Sequence, residues 1–373
     1  MTQLKLAAEL VGHEDRVWQV SWDASGTRLA SCSSDKSARI WAPISPDKFF
    51  SGDYATSPMD VDGEDRRTSP SWQCVETIDN AHKRTVRAVA FEPTRSRALA
   101  TASFDGTTAI WDREPGSDAH ECVATLEGHE NEAKSLAWSP GGQLLATCGR
   151  DKSVWIWEAN GEGDFDCISV LMEHAQDVKL VAWHPRDDLL ASFSYDNTIR
   201  IWKEDDDDWY SAATIGGHQS TVWAGDFSAD GRYLASVSDD RTVRVWAQRA
   251  SGGEEGAASA GFYYRPDLAY ECVAVVPDSV HARAIYSVSW CAPAADAAPG
   301  ALGYLATGGG DNTVRVFRAT EAAGGSVDVA LEVAQADAHG LSDINCVKWN
   351  PVHPGWLATC GDDGVIRIWH LEP

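Results

Sequence analysis

Thr147, His129 and Asp151 supply a hydroxyl, an imidazole and a carboxylate. Hydrolases build a nucleophile, its base and the group that orients the base from these three. Ser192, His174 and Asp196 repeat the set, and Ser236, His218 and Asp240 repeat it again. In each set the Asp follows the hydroxyl residue by four positions and an indole follows the Asp by six, at Trp157, Trp202 and Trp246. The spacing recurs at Ser31, Asp35 and Trp41, at Thr101, Asp105 and Trp111, at Thr307, Asp311 and Phe317, and at Thr359, Asp363 and Trp369. His13, His82, His281 and His339 stand upstream of these four sets. A reacting centre occurs once in a chain, whereas this trio occurs seven times at equivalent positions. That repetition points to a structural device: a buried hydrogen-bonded chain of hydroxyl, imidazole and carboxylate, with the indole N–H as a further donor. No catalytic residue is assigned, and the expectation is that the protein is not an enzyme.

Other chemistry finds no purchase in the sequence. There is no Gly-rich phosphate loop, no His-Glu-x-x-His and no Cys-x-x-Cys. Cys74, Cys122, Cys167 and Cys272 share one slot of the repeat, and Cys32, Cys148 and Cys360 each follow the repeated Ser or Thr. Periodic cysteines read as small half-buried residues and not as a convergent ligand set, so no metal site and no resident cofactor are expected. The chain has 373 residues and a formal charge of −25, from 31 Lys and Arg against 56 Asp and Glu. That balance excludes a protein that grips a nucleic-acid backbone directly. No run approaches the roughly 18 apolar residues a membrane helix needs, so no membrane partner is expected. Tryptophan, with 17 copies, is far above ordinary usage.

The elements that must position these residues are short strands. Where nothing is inserted, successive indoles lie 44 to 46 residues apart, the length of a four-stranded propeller blade. In the third unit the strands are expected at Ala133 to Trp138, Leu144 to Cys148, Val154 to Trp157 and Cys167 to Leu171, separated by turn residues such as Ser139-Pro140-Gly141-Gly142. Here the chain resembles the WD40 family, and the repeated Ser/Thr, His, Asp and Trp resemble its structural tetrad. The fold class implied is all-β: a single seven-bladed propeller over 1–373, with Leu4 to Leu10 as an orphan outer strand that completes the last blade. Residues 42–71, with Ser45-Pro46, Ser57-Pro58 and Ser69-Pro70, and residues 247–266 are expected as flexible surface inserts. Residues 319–327 are expected to link the sixth unit to the seventh.

In such propellers one face is the usual docking surface, and two positions per blade point towards it. The residue before the tetrad Asp gives Phe104, Arg150 and Tyr195 among others, and a residue early in the innermost strand gives Trp18, Arg87, Lys134, Lys179, Trp223 and Tyr286. Arginine and large aromatics are the residues interfaces use as anchors. A locally positive, aromatic-lined funnel on an acidic body should prefer a partner that carries carboxylates and an apolar or aromatic anchor. The competing reading is that the rings pack against neighbouring blades and the cations pair with Glu130 or Glu132.

Particular strings narrow the family. Ala102-Ser103-Phe104-Asp105-Gly106, Gly128-His129-Glu130-Asn131-Glu132, Cys148-Gly149-Arg150-Asp151-Lys152, His174-Ala175-Gln176-Asp177-Val178-Lys179, Gly217-His218-Gln219-Ser220-Thr221-Val222-Trp223 and Ile285-Tyr286-Ser287-Val288-Ser289-Trp290-Cys291 occur in this order. Together they resemble the propellers of cytosolic iron–sulfur protein assembly, which provide the WD40 subunit of the CIA targeting complex. The resemblance implies a non-enzymatic scaffold, monomeric itself, within a hetero-complex. Its implied partners are a small partner subunit, a helical-repeat adaptor, a hydrogenase-like Fe–S carrier and apo Fe–S client proteins, in the cytoplasm and extending to the nucleus. Arg150 matches the family's exposed arginine in the third-blade turn. The alternative is a generic WD40 adaptor, such as a ubiquitin-ligase substrate receptor or a chromatin reader.

Overall fold

The period of the sequence appears as seven four-stranded antiparallel sheets in the computed structural model. It describes residues 2–51, 71–80, 82–94, 97–113, 119–161, 163–205, 208–249 and 268–372. Each sheet is a meander running from an innermost strand at the central axis to an outer strand at the rim. Blade 1 runs Val17–Trp22, Leu29–Ser33, Ala38–Pro43 and Trp72–Ile78. Blade 3 runs Ala133–Trp138, Leu144–Gly149, Val154–Ala159 and Phe165–Leu171, close to the strands read from the sequence.

Burial changes along each blade as the composition requires. Most second strands are wholly buried, as in Leu29–Ser33, Leu99–Ser103 and Tyr233–Ser238. Both faces of such a strand are covered by neighbouring blades, so it reads as Leu followed by Ala, Ser, Thr and Cys, residues small enough for sheets to approach closely. The core is divided among the gaps between blades. One cluster joins Ala30, Cys32 and Ile40 of blade 1 to Val86, Val89 and Leu99 of blade 2, and equivalent clusters recur around the ring. Outer strands such as Trp72–Ile78 and Phe165–Leu171 are mostly exposed, whereas Asp208–Ile215 of blade 4 is mostly buried.

The N-terminal strand Gln3–Val11 pairs antiparallel with Val365–Glu372 and forms the outer strand of blade 7, with Gln3 opposite Glu372 and Val11 opposite Val365. The ring is therefore closed by backbone hydrogen bonds between the two ends of the chain, as the orphan strand led one to expect.

Three stretches read as inserts or links differ in detail. Ala42 and Pro43 belong to the third strand of blade 1, and Pro46–Phe50 forms a short helix. Phe49 is 3% exposed, with its ring 5.4 Å from Trp72 and 4.8 Å from Trp356, while Phe50 stacks on His353 at 4.0 Å. Two adjacent apolar rings in a polar stretch are drawn into the seam between blades 1 and 7, so this part of 42–71 is built into the fold. Residues 52–70, with Ser57-Pro58 and Ser69-Pro70, lie outside the described residues. Of 247–266, Ala247–Arg249 continue the third strand of blade 5 and the remainder lies outside the described residues. Residues 319–327 do not link blade 6 to blade 7. They join its third strand, Val314–Glu321, to its outer strand, Val327–Gln335, within the same sheet.

Candidate functional site

The repeated polar residues meet inside the blades. In blade 3 the Trp157 indole N–H donates to Thr147 Oγ1 at 3.0 Å, Thr147 lies 3.0 Å from His129 Nε2, and His129 Nδ1 lies 2.8 Å from Asp151. Blade 4 repeats this through Trp202, Ser192, His174 and Asp196, and blade 5 through Trp246, Ser236, His218 and Asp240, each with contacts of 2.7–2.9 Å. Because the indole donates to the hydroxyl, the hydroxyl donates to Nε2 and Nδ1–H donates to the carboxylate. The carboxylate also accepts backbone N–H groups. Asp151 takes them from Glu130 and Ser153, stapling the loop from the previous blade to the turn between its own strands. Burial alone would raise these carboxyls, yet the hydrogen bonds from the imidazole and turn residues outweigh it and hold Asp151, Asp196 and Asp240 below the ordinary carboxylate range. Blade 6 departs from the pattern. Phe317 has no N–H to donate to Thr307; Arg315 donates to Asp311 at 2.8 Å, and Arg367 likewise donates to Asp363 in blade 7. No substrate could reach the Thr147, Ser192 or Ser236 hydroxyls, which are 0% exposed.

Each innermost strand carries a β-bulge at the same place. In blades 1 to 7 the pairing skips Trp18, Arg87, Lys134, Lys179, Trp223, Tyr286 and Asn345. A bulged residue leaves the ladder and its side chain is re-aimed. The same repeated defect therefore turns seven side chains towards one mouth of the central channel. The second set of positions is fixed from the turns. The N–H of Arg150 donates to Glu132 O, that of Phe104 to Thr85 O and that of Tyr195 to Asp177 O, holding these residues beside the bulges.

The two sets interleave as cations on rings. Arg87 lies over Trp18 at 4.9 Å and Lys134 over Phe104 at 4.3 Å, while Lys179 is 5.1 Å from the Tyr195 ring and 5.2 Å from that of Trp223. Trp223 meets Tyr286 edge-on at 5.3 Å. Trp18 donates its indole N–H to Ser34 Oγ at 2.8 Å. Arg150 has a side chain 58% exposed and reaches Glu132 at 3.3 Å; Lys179 pairs with Asp177 at 3.3 Å. All nine candidate docking residues thus surround one face. Part of the competing packing reading also holds, since Glu132 takes Arg150 and the rings do pack across blades. Charge is divided around the mouth. Blades 2 to 4 carry the cations, whereas blades 5 to 7 present Asp239, Asp343 and Asp362. Burial first, then Asp343 and Asp239, raise the Tyr286 hydroxyl.

Arg84 was not singled out from the sequence. It donates to Phe104 O at 2.6 Å and to Glu132 at 3.3 Å, and lies 5.9 Å over the Phe104 ring. Its place in the loop entering blade 2, two residues before a bulge flank, was the only signal. Cys74, Cys122, Cys167 and Cys272 lie opposite the tetrad indoles of their blades, but of the periodic cysteines only Cys272 is half-buried: Cys74, Cys122 and Cys167 are exposed on outer strands, and Cys32, Cys148 and Cys360 are buried between blades. Among the described residues no three His, Cys, Asp or Glu side chains group to hold a metal ion. No helix of the described residues is long and apolar enough to cross a membrane. A cavity of about 780 Å³ opens on the opposite face between blades 4 and 5, lined by Asp187, Asp188, Lys203 and Glu204 among others, away from the bulge residues.

Comparison with known proteins agrees with this architecture. Residues 4–42, 72–112, 120–158, 165–203, 209–247 and 332–370 match the family described as WD domain, G-beta repeat. The three inner strands of the sixth blade, with Phe317 and its longer spacing, fall outside those segments. The chain is 41% identical to a protein of Vanderwaltozyma polyspora named probable cytosolic iron-sulfur protein assembly protein 1, over 98% of this chain and 99% of that one. It is 45% identical to a similarly named protein of Chlamydomonas reinhardtii, over 97% of each. A Schizosaccharomyces pombe protein named probable cytosolic Fe-S cluster assembly factor is 40% identical over 99% of this chain, which spans 54% of that longer relative.

Proposed function

The chain belongs to the WD40-repeat family, alongside the cytosolic iron–sulfur protein assembly propellers, and from that membership we propose that it is the non-enzymatic scaffold of a CIA targeting complex. It mediates transfer of Fe–S clusters, as cargo, to cytosolic and nuclear apo-proteins. Its partners in this reading are a small subunit, a helical-repeat adaptor, a hydrogenase-like cluster carrier and the apo-clients. Full-length likeness to proteins named for this process carries the reading. The geometry supports it: a rigid ring aims cation-on-ring pairs at one face, and Arg150 stands exposed at its rim. Such a face suits a partner bearing carboxylates beside an apolar or aromatic anchor.

The test is affinity capture with Arg150→Glu in the full chain. Arg150 lies in a turn and is mostly exposed, so the variant should keep the parent's melting behaviour. Capture of CIA partners or clients should weaken by about 2 kcal/mol or more, because a cation facing carboxylates becomes a like charge. Undiminished capture of CIA partners by the variant removes Arg150 from the docking face, whereas capture of ubiquitin-ligase or histone subunits with no assembly factors by the parent chain overturns the scaffold reading.

A further inference from the structure

Arg87, Lys134 and Lys179 occupy the bulge position of three consecutive blades at the channel mouth. Among the described residues, neither Arg87 nor Lys134 makes a side-chain hydrogen bond or ion pair; their close support comes from the Trp18 and Phe104 rings. The chain has 56 acidic residues, so the missing partners do not reflect a shortage of carboxylates. Leaving half-buried cations unpaired is unfavourable unless something else meets them. Burial, then Lys179 and Arg87, hold the Lys134 ammonium down to about 8. The cations thus repel one another across the mouth; Glu132 and Asp177 pull the other way on Lys134 from a distance, but among the described residues Asp177 forms an ion pair only with Lys179. Beside them the Trp223 indole N–H is buried with no acceptor among the described residues.

We propose that the channel mouth binds a compact multivalent oxyanion, a phosphate group held jointly by Arg87, Lys134 and Lys179. A carboxylate brings one negative charge, whereas a phosphate monoester brings about −1.5 to −2 at pH 7 and three acceptor oxygens, a closer match to three cations on adjacent blades. The phosphate is either a free ion or a group carried on a protein segment. The site shares Arg87, Lys134 and Lys179 with the docking face of the scaffold reading, but its affinity for a phosphate group can be measured without any CIA partner and so does not rest on that reading.

Titration calorimetry of the full chain tests it with inorganic phosphate, pyrophosphate, and a phosphoserine hexapeptide beside its unmodified form, against sodium chloride at matched ionic strength. At least one phosphate probe should give saturable one-to-one heat. At about pH 8.5 binding should take up protons, read as a dependence of heat on buffer ionisation enthalpy, because the anion restores the charged form of Lys134. Lys134→Met should weaken binding at least about tenfold and abolish that uptake; Lys179→Met should weaken it comparably with uptake retained. Arg318→Gln, on the outer wall, should bind as the parent does, and melting curves check that each variant is folded. Peptide binding with free phosphate silent assigns the group to a protein segment, and the reverse assigns it to a free ion. The proposal is overturned by absence of saturable heat from every probe, by equal heat from chloride (an adventitious ion only), or by a folded Lys134→Met that binds like the parent. Intact partner capture without anion binding removes this inference alone, and lost partner capture with intact anion binding removes the scaffold reading alone.

Discussion

At the scale of single residues, one turn position shows how much the hydrogen-bonded relay demands. The residue after each tetrad Asp has a positive φ in all seven blades: Lys36, Gly106, Lys152, Asn197, Arg241, Asn312 and Gly364. Five of these are not glycine, so each accepts a strained backbone of order 1–2 kcal/mol to let the Asp carboxylate accept the N–H two residues on. At Gly106 the alternative is closed, since a Cβ there would come within 2.9 Å of His129 O. The tetrad itself was legible because its residues are chemically distinctive and evenly spaced; the left-handed turn was not, because lysine and arginine do not advertise φ. Trp157 carries both packing and hydrogen bonding, being 6% exposed and bonded to Thr147. Trp157→Ala should cost roughly 3–5 kcal/mol, measured by denaturant unfolding. Trp157→Phe should cost only about 1–2 kcal/mol, because Phe317 shows that the slot takes a phenyl ring without the N–H.

At the scale of elements, strands were legible from alternation and period, but bulges were not. Register is a relation between two strands, so nothing local to Lys134 or Trp223 announces that pairing skips it. The side chains that gather at the channel mouth were nonetheless legible by position, since the bulge recurs once per repeat. Arg84 lay outside that repeat position and was missed. The helix Pro46–Phe50 was also hidden, because Ser-Pro pairs and mixed charge dominate its surroundings. Its adjacent phenylalanines were the only apolar signal. Phe49 fills a gap among Trp22, Trp72 and Trp356, so Phe49→Ala should destabilise the folded ring by about 3–5 kcal/mol; an insert merely lying on the surface would show almost none of this in a melting experiment.

At the scale of the whole molecule, the relays titrate as a set. Hydrogen bonds outweigh burial to hold Asp311 and Asp363 at about 2, and the Asp35, Asp196 and Asp240 carboxyls are lower still. Burial lowers His82, His218, His281 and His339 below the ordinary 6.5. In both groups the unfolded chain takes up protons at a higher pH than the folded one. The stability they contribute is therefore complete above about pH 6.5, begins to fall below it as unfolded histidines protonate, and declines steeply from about pH 5 to 2 as the carboxyls follow. Thermal melting between pH 8 and pH 3 should show this two-stage loss; a melting temperature flat down to pH 4 would contradict it.

The pairing of Gln3–Val11 with Val365–Glu372 also dictates an order of events during synthesis. Gln3–Val11 is made before every other strand of the ring but cannot pair until Val365–Glu372 has been made. Until then it waits with both hydrogen-bonding edges unsatisfied and with Leu4 and Leu10, buried in the finished ring, open to other chains. A nascent chain of this kind is open to mispairing until Val365–Glu372 emerges, and a chaperone that shields residues 3–11 over that interval would protect the whole circle.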